Sequence, residues 1–370
     1  MSSRLAADEP LPACSEAERL AANDFADQLR GNGREVAIET IWLRPAWWLV
    51  QAICSAAAVI ASVVCVSSPT AGLAIAIIAV FFSLCDATRL APLRRLTSKR
   101  ASQNVISAPP ARSPQPATML ILTAASDDRP VAANRFIPSS LIATNASCIA
   151  LIAACAALRS AGIDVLAVSA AQLIPTFLLL AAILVFLQRG DAEAVRDDSA
   201  REAVLEIAAS LDSDPPEQLE VAVLLAGAGS AQAAGLRAWL RSRRKRGMRP
   251  TDVAILHVEP CSVGSPVWWE RDGIVVATGL HPQLRRAAAT AERDEDLGAT
   301  SVAGADATGA GVARGDGWPA IAIGSRAAHD EPQIAEQEDV SAVQAAVVKL
   351  GEALVRELDR ELASAAQPGQ

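Results

Sequence analysis

Two pairs of carboxylates raise the question of chemistry. Asp127 and Asp128 close the run Thr118-Met-Leu-Ile-Leu-Thr123, a continuous apolar stretch of the kind buried in a parallel sheet. Asp197 and Asp198 stand at the head of Arg196-Asp-Asp-Ser-Ala-Arg-Glu-Ala-Val-Leu-Glu-Ile-Ala-Ala-Ser-Leu211. In that segment Ser199 and Glu202 have the spacing of a capping box. Val204, Ile207, Ala208 and Leu211 then repeat at helical spacing. Asp197 and Asp198 are therefore expected just before a helix N-terminus, pointing out of the fold, where an aspartate is most often a cap. A role in ligand binding would need further polar groups brought to the same place by neighbouring strands.

The elements that would bring them are legible in order. Residues 12–32 predict an amphipathic helix, with Ser15 and Glu18 as a capping box and Leu20, Ala21, Phe25 and Leu29 on one face. Glu35 to Leu43 alternates and predicts a strand. Ser107 to Pro116 is a proline-rich turn segment. Leu219 to Leu225 predicts a buried strand ending in Ala226-Gly-Ala-Gly-Ser230. A helix with Leu236, Trp239 and Leu240 on one face follows and ends in Arg241-Ser-Arg-Arg-Lys-Arg246. That basic cluster suits the solvated last turn of a helix, and contact with anionic lipid is the sharper alternative. Asp252 to Val258 and Ile274 to Thr278 predict strands, and His281 to Arg293 a helix with Pro282 at its first position. Gly298 to Gly317 predicts loop, Pro319 to Ile323 a short strand and Val340 to Leu362 a helix. Strands alternating with helices make an α/β sheet covered on both faces. Ligands of such sheets bind beyond the carboxyl ends of the strands. Here those ends are Ala124–Asp128, Ala226–Ser230, Glu259 and Gly324–His329, joined by the Asp197 loop.

Composition sets this domain beside a membrane. Of 370 residues, 51% are hydrophobic, 4% aromatic and none is tyrosine, and the mean hydropathy is +0.27. Pro45 to Cys85 holds no charged residue and breaks at Ser67–Thr70 into two runs, near 46–66 and 71–88. Phe136 to Leu158 and Val165 to Leu187 are a second uncharged pair. Each run approaches the ~20 residues that span a bilayer. Trp42, Trp47 and Trp48 fall where an interfacial belt would. Four transmembrane helices in two hairpins are expected. Arg30, Arg34, Arg44, Arg89, Arg94, Arg95, Lys99, Arg100, Arg135 and Arg189 flank the hairpins while their tips carry almost no basic residue. Both termini and the middle segment are thus expected in the cytoplasm.

A net charge of −8 gives no reason to expect nucleic-acid binding. Seven cysteines, five of them in apolar runs and none at zinc-motif spacing, favour free thiols in a reducing compartment. Asn145-Ala-Ser147 matches a glycosylation sequon but lies inside a membrane run. His257 sits within a strand, where a core or sheet-face role is expected.

The order of these pieces resembles the zinc aminopeptidases of metallopeptidase family M twenty-eight, the family of aminopeptidase S and glutaminyl cyclase. The family's Ala-His-x-Asp strand end is matched by Ala124-Ala-Ser-Asp127 and its Asp-Asn-Ala-Ser-Gly loop by Asp197-Asp-Ser-Ala-Arg201. Its Gly-Ala-Glu-Glu is matched by Gly227-Ala-Gly-Ser230, and its Ser-Asp loop by Gly304-Ala-Asp306. Its Gly-x-Pro-Ala-x-x-Ile-Gly strand and final histidine are matched by Gly317-Trp-Pro-Ala-Ile-Ala-Ile-Gly324 and His329. The first helix and strand, through Arg44-Pro45, fit as well. The resemblance covers roughly 12–45, 101–130 and 196–365, with the membrane helices as insertions.

The resemblance implies a mixed sheet sandwiched by helices, zinc-aminopeptidase-like, and a site for two zinc ions. Asp197 would bridge them, Asp306 and His329 would each complete one ion's set, and Asp127 would orient the first histidine. Ala125 replaces that histidine, Gly229 the glutamate base and Ser230 a ligand glutamate. Each ion keeps two of its three protein ligands, where catalytic zinc normally has three plus water. Losing the base alone removes a proton-transfer contribution of roughly 100- to 10,000-fold. The implied organisation is 1–45 and 101–132 as early parts of the peptidase-like domain, 46–88 and 136–187 as hairpins, and 196–365 as its main body.

The expected function is a membrane-anchored pseudo-peptidase of the plasma membrane, with no catalytic residue and zinc below full occupancy. Its partners would be the lipid bilayer and a protein or peptide it scaffolds. The alternative is an active metal-dependent hydrolase that recruits Asp128, Asp198 or Glu259. A third possibility, an ion- or solute-handling membrane protein, is disfavoured because Gln51, Asn145 and Gln172 are the only strongly polar side chains in the runs.

Overall fold

The computed structural model describes residues 9–87, 92–108, 118–128, 141–163, 165–189, 196–273, 277–304, 308–327 and 337–366. The chain divides into two compact units, Met1–Leu43 with Ala101–Arg129 and Ala194–Gln370, and Arg44–Arg100 with Pro130–Glu193.

In chain order the elements begin with α1 (Glu16–Gly31), β1 (Val36–Leu43), α2 (Trp47–Ser67), α3 (Pro69–Ala87), β2 (Arg100–Ser107), β3 (Thr118–Ala125), α4 (Leu141–Ser160) and α5 (Leu166–Arg189). They continue with α6 (Ser199–Ser213), β4 (Leu219–Ala226), α7 (Ala234–Lys245), β5 (Val253–Val258), β6 (Ser265–Asp272) and β7 (Thr278–Gly279). The last are α8 (Pro282–Ala291), β8 (Thr300–Ala303), α9 (Gly309–Gly315), β9 (Ala320–Arg326) and α10 (Gln337–Ala366).

The first unit is built on a mixed sheet of nine strands among the described residues, ordered β1-β2-β4-β3-β5-β9-β6-β7, with β8 against β6. Its centre is parallel: β3 runs beside β4 and β5, and β5 beside β9. Antiparallel β2 joins β4 on one side and antiparallel β6 joins β9 on the other. The centre is parallel because β3, β4, β5 and β9 are short apolar runs that can be buried on both faces. The pleat then sorts their side chains. Leu120, Leu122, Val223, Leu256 and Ile323 pack with Phe25, Val204, Ile207, Leu350 and Leu354 from α1, α6 and α10. Ile121, Leu224, Ile255 and Ala322 pack on the other face with Leu236, Trp239, Ala313 and Trp318. Helices therefore cover both faces, as expected.

Several expectations are corrected here. Residues 100–107, unassigned from sequence, form β2, whose buried positions include Ser102 and Asn104. Of the strand expected at Ile274 to Thr278, residues 274–276 lie outside the described residues and Thr278 begins the two-residue β7, while β6, which the sequence did not suggest, holds Trp268 and Trp269 in the core. The loop expected over Gly298 to Gly317 contains β8 and α9. The capping box at the head of α6 does not form: Ser199 is buried within the first turn and its hydroxyl bonds elsewhere. At α1 the box is half made. Ser15 Oγ accepts from Glu18 N at 3.0 Å, while the Glu18 carboxylate turns into the core. His281 and Pro282 start α8 as expected.

The second unit packs α2, α3, α4 and α5 together, and all four are long and apolar enough to cross a membrane. α3 extends to Ala87 and so takes in Asp86, beyond the uncharged run. Asp86 is buried with Arg94, Nε to Oδ1 at 2.6 Å. Gln51 Nε2 donates to Asp86 Oδ2 at 3.1 Å, and Gln51 Oε1 accepts from Ser83 Oγ at 3.0 Å and from Asn145 Nδ2 at 3.1 Å. Ser55 Oγ lies 2.8 Å from Asn145 Oδ1. Further along α2, Gln172 Nε2 donates to Ser62 Oγ at 2.8 Å. The three polar side chains of the membrane-length runs thus bond helix to helix, an arrangement that small-residue packing alone would not require.

Candidate functional site

The carboxyl ends of β3 and β4 and the head of α6 bring the two aspartate pairs together, with one residue that the sequence had disguised. Glu18 projects from α1 and is buried. It accepts from Ser102 Oγ at 3.0 Å, Ser126 Oγ at 2.6 Å and Ala228 N at 2.7 Å. Cys14 N also donates to it. One carboxylate therefore ties the first helix to β2, β3 and the loop after β4. Its spacing from Ser15 marked it only as a cap.

Asp127 lies beside it. Its two oxygens accept from Gly229 N and, at 3.0 Å, from Ser230 N. Burial pushes its pKa up to about 6, with the neighbouring Glu18 carboxylate adding to the rise and the donors at Ser230 and Gly229 opposing it. The loop it holds is tight. Ala228, Gln232 and Ala233 have φ of 52°, 62° and 49°, in the left-handed region that costs a non-glycine residue roughly 1–2 kcal/mol. Asn104 fastens the same loop, accepting from Gly227 N at 2.9 Å and donating to Gly235 O at 3.1 Å.

Asp197 does not point out of the fold. Its Oδ1 accepts from Ser199 N at 3.0 Å and from the Ser199 hydroxyl, and its Oδ2 accepts from Ser262 Oγ at 2.9 Å. Contact with Ser262 draws it toward the chain that follows β5, and its bond to Ser199 N holds it to the start of α6, whose N-cap is Asp198. Ser199 Oγ in turn accepts from Cys261 N at 2.9 Å. Burial holds the Cys261 thiol up at about 12. Asp306 and His329 lie outside the described residues.

Asp128 is buried, accepting from Leu11 N at 2.9 Å through Oδ2 and from Asp197 N at 3.3 Å through Oδ1. Into this group comes Arg201, buried, from the first turn of α6. Its guanidinium donates to Ser126 O at 3.1 Å, to Asp128 Oδ1 at 3.3 Å and to Asp198 Oδ1. Arg196 Nε takes Asp198 Oδ2 at 2.7 Å. Burial lowers the Arg201 pKa, and Asp128 acts against the fall.

A zinc centre needs three or four ligand atoms converging on one point. Both oxygens of Asp127 and of Asp197 are committed to N–H and O–H donors. No group of three or more His, Cys, Asp or Glu stands ready for a metal ion among the described residues. Of the residues that the resemblance assigns to the zinc ions, Asp197 alone lies among the described residues.

Gly229, at the position the resemblance assigns to the base, has no room for a side chain. A Cβ there would overlap Ala125 Cβ and lie 3.2 Å from Asp127 Oδ1. A second polar cluster sits at β5. Buried His257 and Glu259 face each other at 3.4 Å, and Glu259 Oε1 accepts from Gly309 N at 3.1 Å. His257 is thus the core residue expected. Asp272 nearby binds Thr308 Oγ1 and Arg314.

No family model and no curated protein matches this chain. Among solved structures, a Zn-dependent exopeptidase from Parabacteroides distasonis is 12% identical, with a TM-score of 0.48 over 95% of this chain and 92% of that one. Porphyromonas gingivalis glutaminyl cyclase is also 12% identical, with a TM-score of 0.47 over 95% and 92%. A zinc aminopeptidase from Bacillus subtilis is 10% identical, with a TM-score of 0.48 over 96% and 91%. Likeness at this level says nothing about chemistry.

Proposed function

We propose that this chain is a membrane-anchored, zinc-aminopeptidase-like protein without peptidase activity, serving as a binding or scaffolding module. The observation that carries the proposal is the packing of Gly229 on Ala125. Read with the sequence resemblance, these are the positions of the catalytic base and of a zinc-binding histidine, and here the Ala125 methyl occupies the space that a Cβ at 229 would need. On this reading the site is closed at Gly229, where a side chain would meet the Ala125 methyl. The hydrogen bonds that hold Asp127 and Asp197 to protein donors support the same reading.

A rebuilt hydrolase would need a carboxylate available to take a proton from water. Asp128 and Asp198 are paired with Arg201, and Glu259 is engaged with Gly309 N and His257. α2 to α5 would anchor the protein in the plasma membrane as a multi-pass bundle, with the α/β unit in the cytoplasm on the basic-residue bias. The partner would be a protein or peptide, and nucleic acid has no part in it.

The test is an aminopeptidase assay on the full chain, purified in detergent and supplied with zinc, against a panel of aminoacyl anilides and peptides. No turnover above a no-protein control is expected. Turnover that disappears in Asp197→Ala would overturn the proposal. Accessibility labelling of single cysteines placed at Gly162 and Ser364 reads the sidedness.

A further inference from the structure

Two pairs of aspartates meet where β3 ends and α6 begins. Asp127 and Asp128 come from one segment, Asp197 and Asp198 from the other, and Asp128 Oδ1 accepts directly from Asp197 N at 3.3 Å. Such a group stays folded only if something offsets its charge, because a buried ion without a partner costs several kcal/mol. Where carboxylates crowd at the end of an α/β sheet, a divalent cation is a common answer. Here the atoms point elsewhere. Arg201 has a side chain 7% exposed and reaches three acceptors on two segments: Ser126 O and Asp128 Oδ1 from β3 and its continuation, and Asp198 Oδ1 from its own. A planar guanidinium with five fixed donors suits several oxygens that do not converge on a point, as a metal would demand.

We propose that Arg201 is the resident cation of this site: its guanidinium balances Asp128 and Asp198 and clamps the β3 end to the head of α6, so that the domain holds its loops without a metal ion. The inference concerns the site read above as a closed metal centre and rests on that reading. The experiment below reads cation dependence alone and leaves the question of partners aside. Arg196 neutralises the outer oxygen of Asp198 from a more exposed position and is the lesser contributor. Arg201 is a positioning residue, acting through the two loops it joins.

The experiment is a melting series on the full chain in detergent. The wild-type melting temperature is expected to stay unchanged when EDTA or a molar excess of zinc chloride is added. Arg201→Met, which keeps most of the apolar stem, is expected to melt about 5–10 °C lower. Asp198→Asn added to Arg201→Met is expected to recover part of that loss, because it removes a carboxylate left without its cation. A wild-type melting temperature that rises with zinc or falls with EDTA would overturn the proposal. So would an Arg201→Met protein that melts like wild type, or a double variant no more stable than the single one, since Arg201 would then act by packing. If Arg201→Met does not fold, the wild-type arm still decides.

Discussion

The Glu18 carboxylate accepts a hydrogen bond from the backbone N–H of Ala228 at 2.7 Å, across 210 residues of sequence. That bond joins the first turn of α1 to a loop whose φ angles are unfavourable for alanine. It also leaves the two Ser hydroxyls and Cys14 N dependent on one side chain. Glu18→Ala would strand several donors, each costing about 1–3 kcal/mol when buried without a partner. A loss of about 3 kcal/mol or more is expected, read as a drop in melting temperature and as tryptic nicking near Ala228. Glu18→Gln keeps one acceptor and should lose less. Equal melting of Glu18→Ala and wild type would show that the contact carries no stability.

Asp127 should leave a mark on the pH dependence. Its folded pKa near 6 lies above the ordinary 3.8. The fold therefore favours the protonated form, so this group's contribution is full below about pH 4 and is lost as pH rises through 6. A difference of about two pKa units corresponds to about 3 kcal/mol. Asp127→Asn cannot ionise. It also gives up one of the two acceptors for Gly229 N and Ser230 N, so it starts from a deficit. Between pH 4 and pH 7 the stability of wild type relative to Asp127→Asn should fall by up to that amount. Melting curves of both proteins at several pH values check this, and a constant difference across the range would refute it.

How much of this was legible depended on whether a residue's partner lay nearby in sequence. The apolar run of β3, the start of α8 at His281–Pro282 and the four membrane-length helices are local patterns, read from apolar run length and proline placement, and each has its element in the fold. β2 escaped because its buried residues include Ser102 and Asn104, polar side chains that go inside only to meet Glu18 and the Gly227–Gly235 loop. β6 escaped because Trp268 and Trp269 face opposite cores, a pattern that becomes a strand signal only once both faces are known to be covered. Ser199 followed by Glu202 was a misleading local pattern: the hydroxyl found better partners in Asp197 and Cys261 N, 62 residues away. Arg201 could have been flagged, since an arginine stands where the matching motif has glycine, but nothing in the sequence said which carboxylates it would join.

The helix bundle offers a test of its own. Gln51 takes part in bonds to Asp86, Ser83 and Asn145, so it links α2 to both α3 and α4. In a double-mutant cycle, Gln51→Leu and Asn145→Leu should show a coupling of about 0.6–2 kcal/mol. Asp86→Asn should cost more, about 3–5 kcal/mol, because it strips Arg94 of a buried carboxylate. Unfolding by SDS titration, followed by tryptophan fluorescence from Trp47 and Trp48, measures both. Additive single-variant effects would mean that the two amides do not share a network.

Gly229 and Ala125 should behave as one site. A Cβ at 229 would overlap the Ala125 methyl and crowd Asp127 Oδ1. Gly229→Ala is therefore expected to cost about 1–3 kcal/mol through overpacking, even though alanine is the smallest step from glycine. Ala125→Gly removes the obstructing methyl at a backbone-entropy cost of roughly 0.5–1 kcal/mol. In the double variant the Gly229→Ala penalty should shrink by at least half, because the opposing Cβ is gone while the Asp127 contact at 3.2 Å remains. Melting temperatures of the four proteins give the coupling directly. Restoring the glutamate as Gly229→Glu, with Ala125→His, should then yield a poorly folded protein and no peptidase, because two larger side chains would have to enter space in which one extra methyl does not fit. A stable, zinc-binding Ala125→His/Gly229→Glu protein would mean that the loops can reopen, and that the closed geometry is a consequence of the missing side chains and not a barrier to them.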